Sequence, residues 1–164
     1  MTHSASSHAA LRIGAVNYLN SKPLVRELPA LASQARVLFD LPSRLADSLA
    51  AARLYVAIIP VVEFLRAGDY QMVSDACVAS RGEVRSVKLY FRTPPEKAQT
   101  LALDEGSRTS AALAQVLLAD RHDCRPEVTP LPIGDGAESS RADAVLVIGD
   151  RAMSSVPSGF ESEW

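Results

Sequence analysis

The sequence predicts a two-lobed α/β protein, and three observations carry that prediction. Short apolar runs alternate with helix-patterned segments over the first seventy residues, the signature of a parallel sheet with covering helices. The alternation breaks between Gly68 and Arg92, and a second β/α series begins after Thr93-Pro94-Pro95. The 164 residues are generous for one domain of about 100–150 and thin for two complete ones.

Residues 11–16 form a short apolar run, read as a buried strand, that gives way to the polar loop Asn17-Tyr18-Leu19-Asn20-Ser21. A short helix follows with Pro23 in its first turn, where a missing N–H costs little. Residues 35–40 read as a second strand, and Pro42 and Ser43 open a helix with Leu45, Leu49 and Ala52 on one face. The run 55–59 is too apolar for a half-exposed strand and suits a central parallel one, with Pro60 ending it and a helix over 61–66. Residues 71–73 and 77–80 are short extended candidates, and Arg81-Gly82 marks a turn. The longer run 84–92 alternates Val87, Leu89 and Phe91 with Ser86, Lys88 and Tyr90, as a strand crossing between lobes with one buried and one polar face would.

The second series starts with a strand over 100–103, a polar loop from Asp104 to Thr109 and a helix carrying Leu113, Val116 and Leu117 on one face. Strands over 125–131 and 144–148 follow, separated by the turn Gly134-Asp135-Gly136. The expected organisation is therefore a first lobe over 11–85, a second over 86–150, and flexible tails at 1–10 and 154–164.

A hydrophobic content of 48% and a formal charge of −2 define a soluble globular chain. Lys and Arg are scattered. Arg81, Arg85, Lys88 and Arg92 come nearest to a basic stretch and read as solvated positions, so neither nucleic acid nor an anionic membrane is an expected partner. Cys77 and Cys124 stand far apart without a partner His at ligand spacing, so no metal site is expected and the thiols read as reduced. The first ten residues lack a cationic start and an apolar core, and no run approaches the ~20 apolar residues of a membrane span. A cytoplasmic location is the expectation.

Two polar loops at strand ends are the candidate half-sites, Asn17 to Ser21 and Ser107-Arg108-Thr109-Ser110. Hydroxyls and unsatisfied N–H groups at a helix start suit a carboxylate or phosphate, although Ser and Thr also stand there as ordinary N-caps. Ser86 alone reads as a strand serine, and no Gly-x-Ser-x-Gly elbow exists. Glu63, Asp104, Glu105 and Asp150 are possible acid/base carboxylates, but such residues near strand ends are commonly caps or ion pairs. His122 near a helix end fits a dipole-compensating role, and the glycines of a nucleotide-phosphate loop are missing. The residues themselves reach as far as a two-lobed α/β protein binding a small anion.

Three segments extend this: Ile13-Gly14-Ala15-Val16-Asn17-Tyr18-Leu19-Asn20-Ser21-Lys22-Pro23-Leu24, Leu41-Pro42-Ser43-Arg44-Leu45-Ala46, and Leu103-Asp104 with Ser107-Arg108-Thr109-Ser110. With Ile59-Pro60, Glu63-Phe64-Leu65-Arg66, Ala79-Ser80-Arg81-Gly82, Val84-Arg85-Ser86-Val87 and Ile148-Gly149-Asp150, they resemble, in unbroken order, chorismate dehydratase of the futalosine route to menaquinone. The Asn-Tyr-Leu-Asn form favours the dehydratase over the dihydroxynaphthoate synthase of the same route. The resemblance implies a type II periplasmic-binding-protein-like fold of two hinged lobes. It implies intracellular action without metal or organic cofactor, and dehydration of chorismate to 3-(1-carboxyvinyloxy)benzoate.

By the same resemblance Asn17 and Ser86 stand at the reacting centre. Asn17 positions the leaving hydroxyl and Ser86 anchors the substrate, while Ser43, Arg81, Ser107, Arg108, Thr109 and Ser110 bind its carboxylates. In that family the chain returns to complete the first lobe. Here it ends at Glu163-Trp164, about where that return would begin, so the expectation includes an incomplete first lobe. A non-catalytic carboxylate-binding module and an inactive truncated form stay open as alternatives at this point, as does the oligomeric state.

Overall fold

The computed structural model describes residues 10–164. The expected N-terminal tail, with His3 and His8, lies outside the described residues except for Ala10. The fold is mixed α/β with two sheets, and the chain divides into two compact units. The first runs to Ile59 and includes Gln71–Val78; the second comprises Pro60–Tyr70 and Ala79–Trp164.

In the first unit, β1 (Arg12–Ala15), β2 (Arg36–Phe39) and β3 (Val56–Ala57) form a parallel sheet in the order β2-β1-β3. Two short helices, α1 (Lys22–Val25) and α2 (Leu28–Leu31), connect β1 to β2. The helix α3 (Pro42–Ala50) connects β2 to β3. Val16, Leu45 and Leu54 form the core, with Leu38, Leu49, Ala57, Ile58 and Ile59 packed against it. Gly14 permits the close approach. A Cβ there would lie 2.6 Å from Leu54 Cδ1 and 2.8 Å from Leu45 Cδ2, nearer than carbon atoms pack.

Two expectations for this unit are corrected. The strand expected over 55–59 as a central element is a two-residue strand beside β1 alone, and β1 is the central one. Ala52 is not on the α3 core face, because the helix ends at Ala50 and Ala52 takes a left-handed φ of 54°. The buried face of α3 is Ser43, Leu45 and Ala46.

In the second unit, β4 (Val87–Phe91), β5 (Thr100–Asp104), β6 (Glu127–Leu131), β7 (Ala144–Ile148) and β8 (Ser162–Glu163) form a sheet in the order β6-β5-β7-β4-β8. β5 is parallel to β6 and β7, whereas β4 is antiparallel to β7 and β8. The helices α4 (Val61–Ala67) and α5 (Arg108–His122) pack together in this unit. One face of the sheet buries Leu89, Phe91, Leu101, Leu103 and Leu146 beneath Ala114 and Leu118 of α5. The other buries Tyr90, Ala102, Leu131, Val145 and Val147, with Ala137, Ala152 and Phe160 from the loops.

Burial on both faces explains several departures from the sequence pattern. Tyr90, expected on a polar face, is fully buried and its ring meets Phe160 at 5.5 Å between centroids. The strand expected over 84–92 as a crossing segment is the shorter β4, held inside the second sheet. The α5 face toward the sheet is Ala111, Ala114 and Leu118, while Leu113 and Val116 are exposed. No strand forms over 71–80.

The segment 154–164, expected as a flexible tail, supplies β8. Its Trp164 exchanges backbone hydrogen bonds with Leu89 at 2.9 and 3.0 Å and packs its ring on Phe91 at 4.7 Å. This aromatic contact and the two ladder bonds hold what composition alone marked as loose. The units also differ from the lobes expected at 11–85 and 86–150. Pro60–Tyr70 belongs with α5, because Val62 N–H reaches Thr109 Oγ1 at 3.5 Å and Glu63 pairs with Arg108.

Candidate functional site

Both sheets place a first strand between the second and the third of a parallel set: β2-β1-β3 in one unit, β6-β5-β7 in the other. In each, the chain leaves the first strand toward one side and the second strand's connection returns to the other. The carboxyl ends of the first and third strands therefore flank a switch point, where neighbouring connections diverge and leave a crevice at the sheet edge.

In the first unit that edge carries Asn17, exposed two residues beyond β1. The register Ala15↔Phe39 brings the end of β2, and with it the start of α3, to the same edge. Ser43 lies in the first turn of α3 but is 6% exposed, so its hydroxyl is withdrawn from solvent. Ser21 is likewise buried beside Asn20, at 3.4 Å from its Oδ1.

In the second unit the edge gathers more of the expected residues. β5 ends at Asp104, and Ser107 to Ser110 open α5. Ser107 Oγ accepts the Ser110 N–H at 3.3 Å and lies 2.8 Å from Ser110 Oγ, so an N-cap is present in addition to any ligand role. Ser86 stands immediately before antiparallel β4, where its carbonyl accepts the Gly149 N–H at 2.8 Å beyond the end of β7. Ser86 and the Ser107–Ser110 loop thus share one sheet edge. Arg81 does not join them through any regular element; it lies on an exposed irregular stretch beside Gly82, whose φ is 91°.

Charge at this edge is shared within the unit. Arg108 Nη1 lies 3.4 Å from Glu63 Oε2, and Arg66 Nη1 lies 3.6 Å from Glu63 Oε1. Glu63 in the first turn of α4 thus pairs with Arg66 in the last turn of the same helix and with Arg108 at the start of α5, tying the two helices together. The start of α5 places the positive end of its dipole at this edge, which suits an anion. Thr109 Oγ1 accepts the Val62 N–H, which turns the hydroxyl proton away from α4.

Of the possible acid/base carboxylates, Asp104 is fully enclosed. Its Oδ1 accepts the Gly106 N–H at 2.9 Å; its Oδ2 accepts the Ile148 N–H at 3.2 Å and an Arg151 Nη2 bond at 2.6 Å. It is an ion-paired clamp, out of reach of a bound ligand. Arg151, which also donates to the Asp135 carbonyl, carries no signal in the sequence beyond the rule that a buried carboxylate needs a cation. His122 ends α5 and stacks on Trp164 at 4.9 Å between ring centroids, away from the Ser107–Ser110 end of the helix. Among the described residues no group of three or more His, Cys, Asp or Glu could hold a metal ion, and no helix is long and apolar enough to cross a membrane.

The fold is a two-sheet α/β one with polar loops and helix starts at its switch points, the places where α/β proteins commonly bind ligands. A family model described as menaquinone biosynthesis matches residues 11–163, nearly the whole chain. The chain belongs to that menaquinone-biosynthesis family.

Proposed function

We propose that the chain dehydrates chorismate to 3-(1-carboxyvinyloxy)benzoate, acting in the cytoplasm as a step of menaquinone formation. Membership of the menaquinone-biosynthesis family supports the pathway, and the motifs from Asn17 and through Ser107-Arg108-Thr109-Ser110 support this reaction within it. The observation that carries the reading is the common sheet edge of Ser86 and Ser107 to Ser110, beside the Arg108–Glu63–Arg66 cluster. The repeated strand order of the two units further supports a type II periplasmic-binding-protein-like fold.

Chorismate carries two carboxylates, and loss of the C3 proton and the C4 hydroxyl as water makes its ring aromatic. Aromatisation supplies the driving force, so the protein's task is to orient those two groups and hold the carboxylates. Asn17 positions the leaving hydroxyl, and Ser86 anchors the ring substituents. Ser107, Thr109, Ser110 and Arg108 take a carboxylate at the start of α5.

The test is incubation with chorismate, following the absorbance of the aromatic product. Turnover is expected in the unaltered chain, with a loss of at least about a hundredfold in kcat/KM for Asn17→Ala and for Ser86→Ala. Unchanged turnover in both variants would remove their assigned roles. A folded chain that neither binds nor converts chorismate would remove the reaction.

A further inference from the structure

We propose that Asp104 and Arg151 form a charge-neutral positioning pair that sets the Ser107–Ser110 loop and keeps the sheet edge beneath it attractive to a dianion. The inference rests on the proposed carboxylate-binding role of that loop.

Asp104 is the last residue of β5, and its side chain is 0% exposed. One carboxylate oxygen fixes Gly106 in the loop, and the other fixes Ile148 at the end of β7 together with Arg151 beyond it. Three separate pieces of the edge are thereby tied to one group. The loop is fitted closely around it: a Cβ at Gly106 would stand 3.0 Å from Asp104 Oδ1 and 3.3 Å from Ile148 Cδ1. Ile148 leads directly into Gly149, whose N–H donates to the Ser86 carbonyl, so the clamp reaches both polar stretches of the edge.

A lone buried carboxylate directly behind an anion-binding helix start would repel the ligand through a low-dielectric medium. Arg151 Nη2 at 2.6 Å cancels that charge, and its second bond to the Asp135 carbonyl holds the guanidinium in place. The carboxylate can then organise backbone N–H groups without opposing the dianion. Asp104 and Arg151 act through the loop and do not touch the reacting atoms.

The experiment compares Arg151→Gln, Asp104→Asn/Arg151→Gln and the unaltered chain with chorismate as probe, reading KM, kcat and the calorimetric Kd. Arg151→Gln is expected to raise KM and Kd at least about tenfold with kcat changed by less than about threefold, the mark of a ground-state binding effect. The double variant, neutral again, is expected to recover binding to within about threefold of the unaltered chain. A double variant that binds as poorly as Arg151→Gln overturns the charge role, since a purely structural defect would not be rescued.

Amide hydrogen exchange of the free chain gives an arm that needs no ligand. Asp104→Ala is expected to accelerate exchange at Gly106 and Ile148 at least about tenfold, and Leu113→Gln, on the exposed face of α5, to leave both amides unchanged. Unaccelerated exchange overturns the positioning role whatever chorismate does. An unaltered chain that ignores chorismate while Asp104→Ala accelerates exchange overturns the proposed reaction instead.

Discussion

Replacing Asp143 by alanine removes the acceptor that ties the start of β5 to the start of β7. Its Oδ2 accepts the Gln99 N–H at 2.9 Å and both the N–H and the hydroxyl of Thr100 at 3.0 Å. In return the Asp143 N–H donates to Thr100 Oγ1 at 2.9 Å. Bonds to a charged acceptor contribute about 1.5–3 kcal/mol each. The Gln99 bond is at an exposed position where water substitutes, and the Thr100 hydroxyl can rotate. One bond counted nearly in full and two discounted give a loss of roughly 2–4 kcal/mol. Burial pushes the Asp143 carboxyl up, but the bonds from Gln99 and Thr100 outweigh it and hold the carboxyl below the usual range. Because the folded-state pKa is depressed, the contribution is complete above the unfolded value of about 3.9 and is lost as the pH falls through the lower folded value. The single tryptophan, Trp164, sits on Phe91 in this unit, so its fluorescence during urea unfolding is the assay. Asp143→Ala should be destabilised at about pH 7, and its deficit should shrink as the pH is lowered below the unfolded carboxylate value of about 3.9. A deficit below about 0.5 kcal/mol at neutral pH, or one unchanged in acid, refutes the reasoning.

On α5, Leu118→Ala should cost about 2–5 kcal/mol, because Leu118 is fully buried, whereas Leu113→Gln should stay within about 0.5 kcal/mol; urea midpoints distinguish the two. Ala52→Gly should stabilise the first unit by roughly 0.5–1 kcal/mol, since φ 54° costs alanine about 1–2 kcal/mol and glycine's freer unfolded state returns part of that; an unchanged or lower urea midpoint refutes it. A neutral thiol reagent should label exposed Cys77 in the native chain and reach Cys124 only on unfolding, because Cys124 is buried and donates to the Ala98 carbonyl at 3.1 Å. Burial also pushes the Cys124 thiol up, further limiting thiolate at neutral pH.

The alternation of apolar runs and helical patterns was legible because each strand of the parallel sets is short, continuous and bounded by polar residues. The strands at 12–15, 36–39, 100–104 and 144–148 follow from it directly. What was not legible depends on neighbours that are distant in the chain. Tyr90 reads as polar until Phe160 covers it, and the last residues read as a tail until Phe91 offers Trp164 a surface. The α5 face was misassigned for a related reason. Its small Ala111 and Ala114 pack closely on the sheet while the larger Leu113 and Val116 stay outside, so residue size misled the choice of face. Hydrophobicity identifies an apolar stripe only when the larger residues are the ones buried.

The loops at Asn17 and Ser107 were nevertheless found from sequence, and the repeated strand order gives the reason. A chain leaving a buried parallel strand for a helix changes from apolar to polar within a few residues, so that boundary is written locally even when the partner strands are not. Strand order then decides which of those boundaries matter, by putting the first and third strands side by side. In the second unit this sets Asp104 of β5 against Ile148 of β7, and the antiparallel β4 brings Ser86 to the same place by its amino end. Polarity at a strand end was visible in the residues; the joining of Ser86 to Ser107 was not, because it follows from β7 lying between β5 and β4. Arg151 shows the same limit, since a buried carboxylate announces the need for a cation but only the sheet edge says which one supplies it.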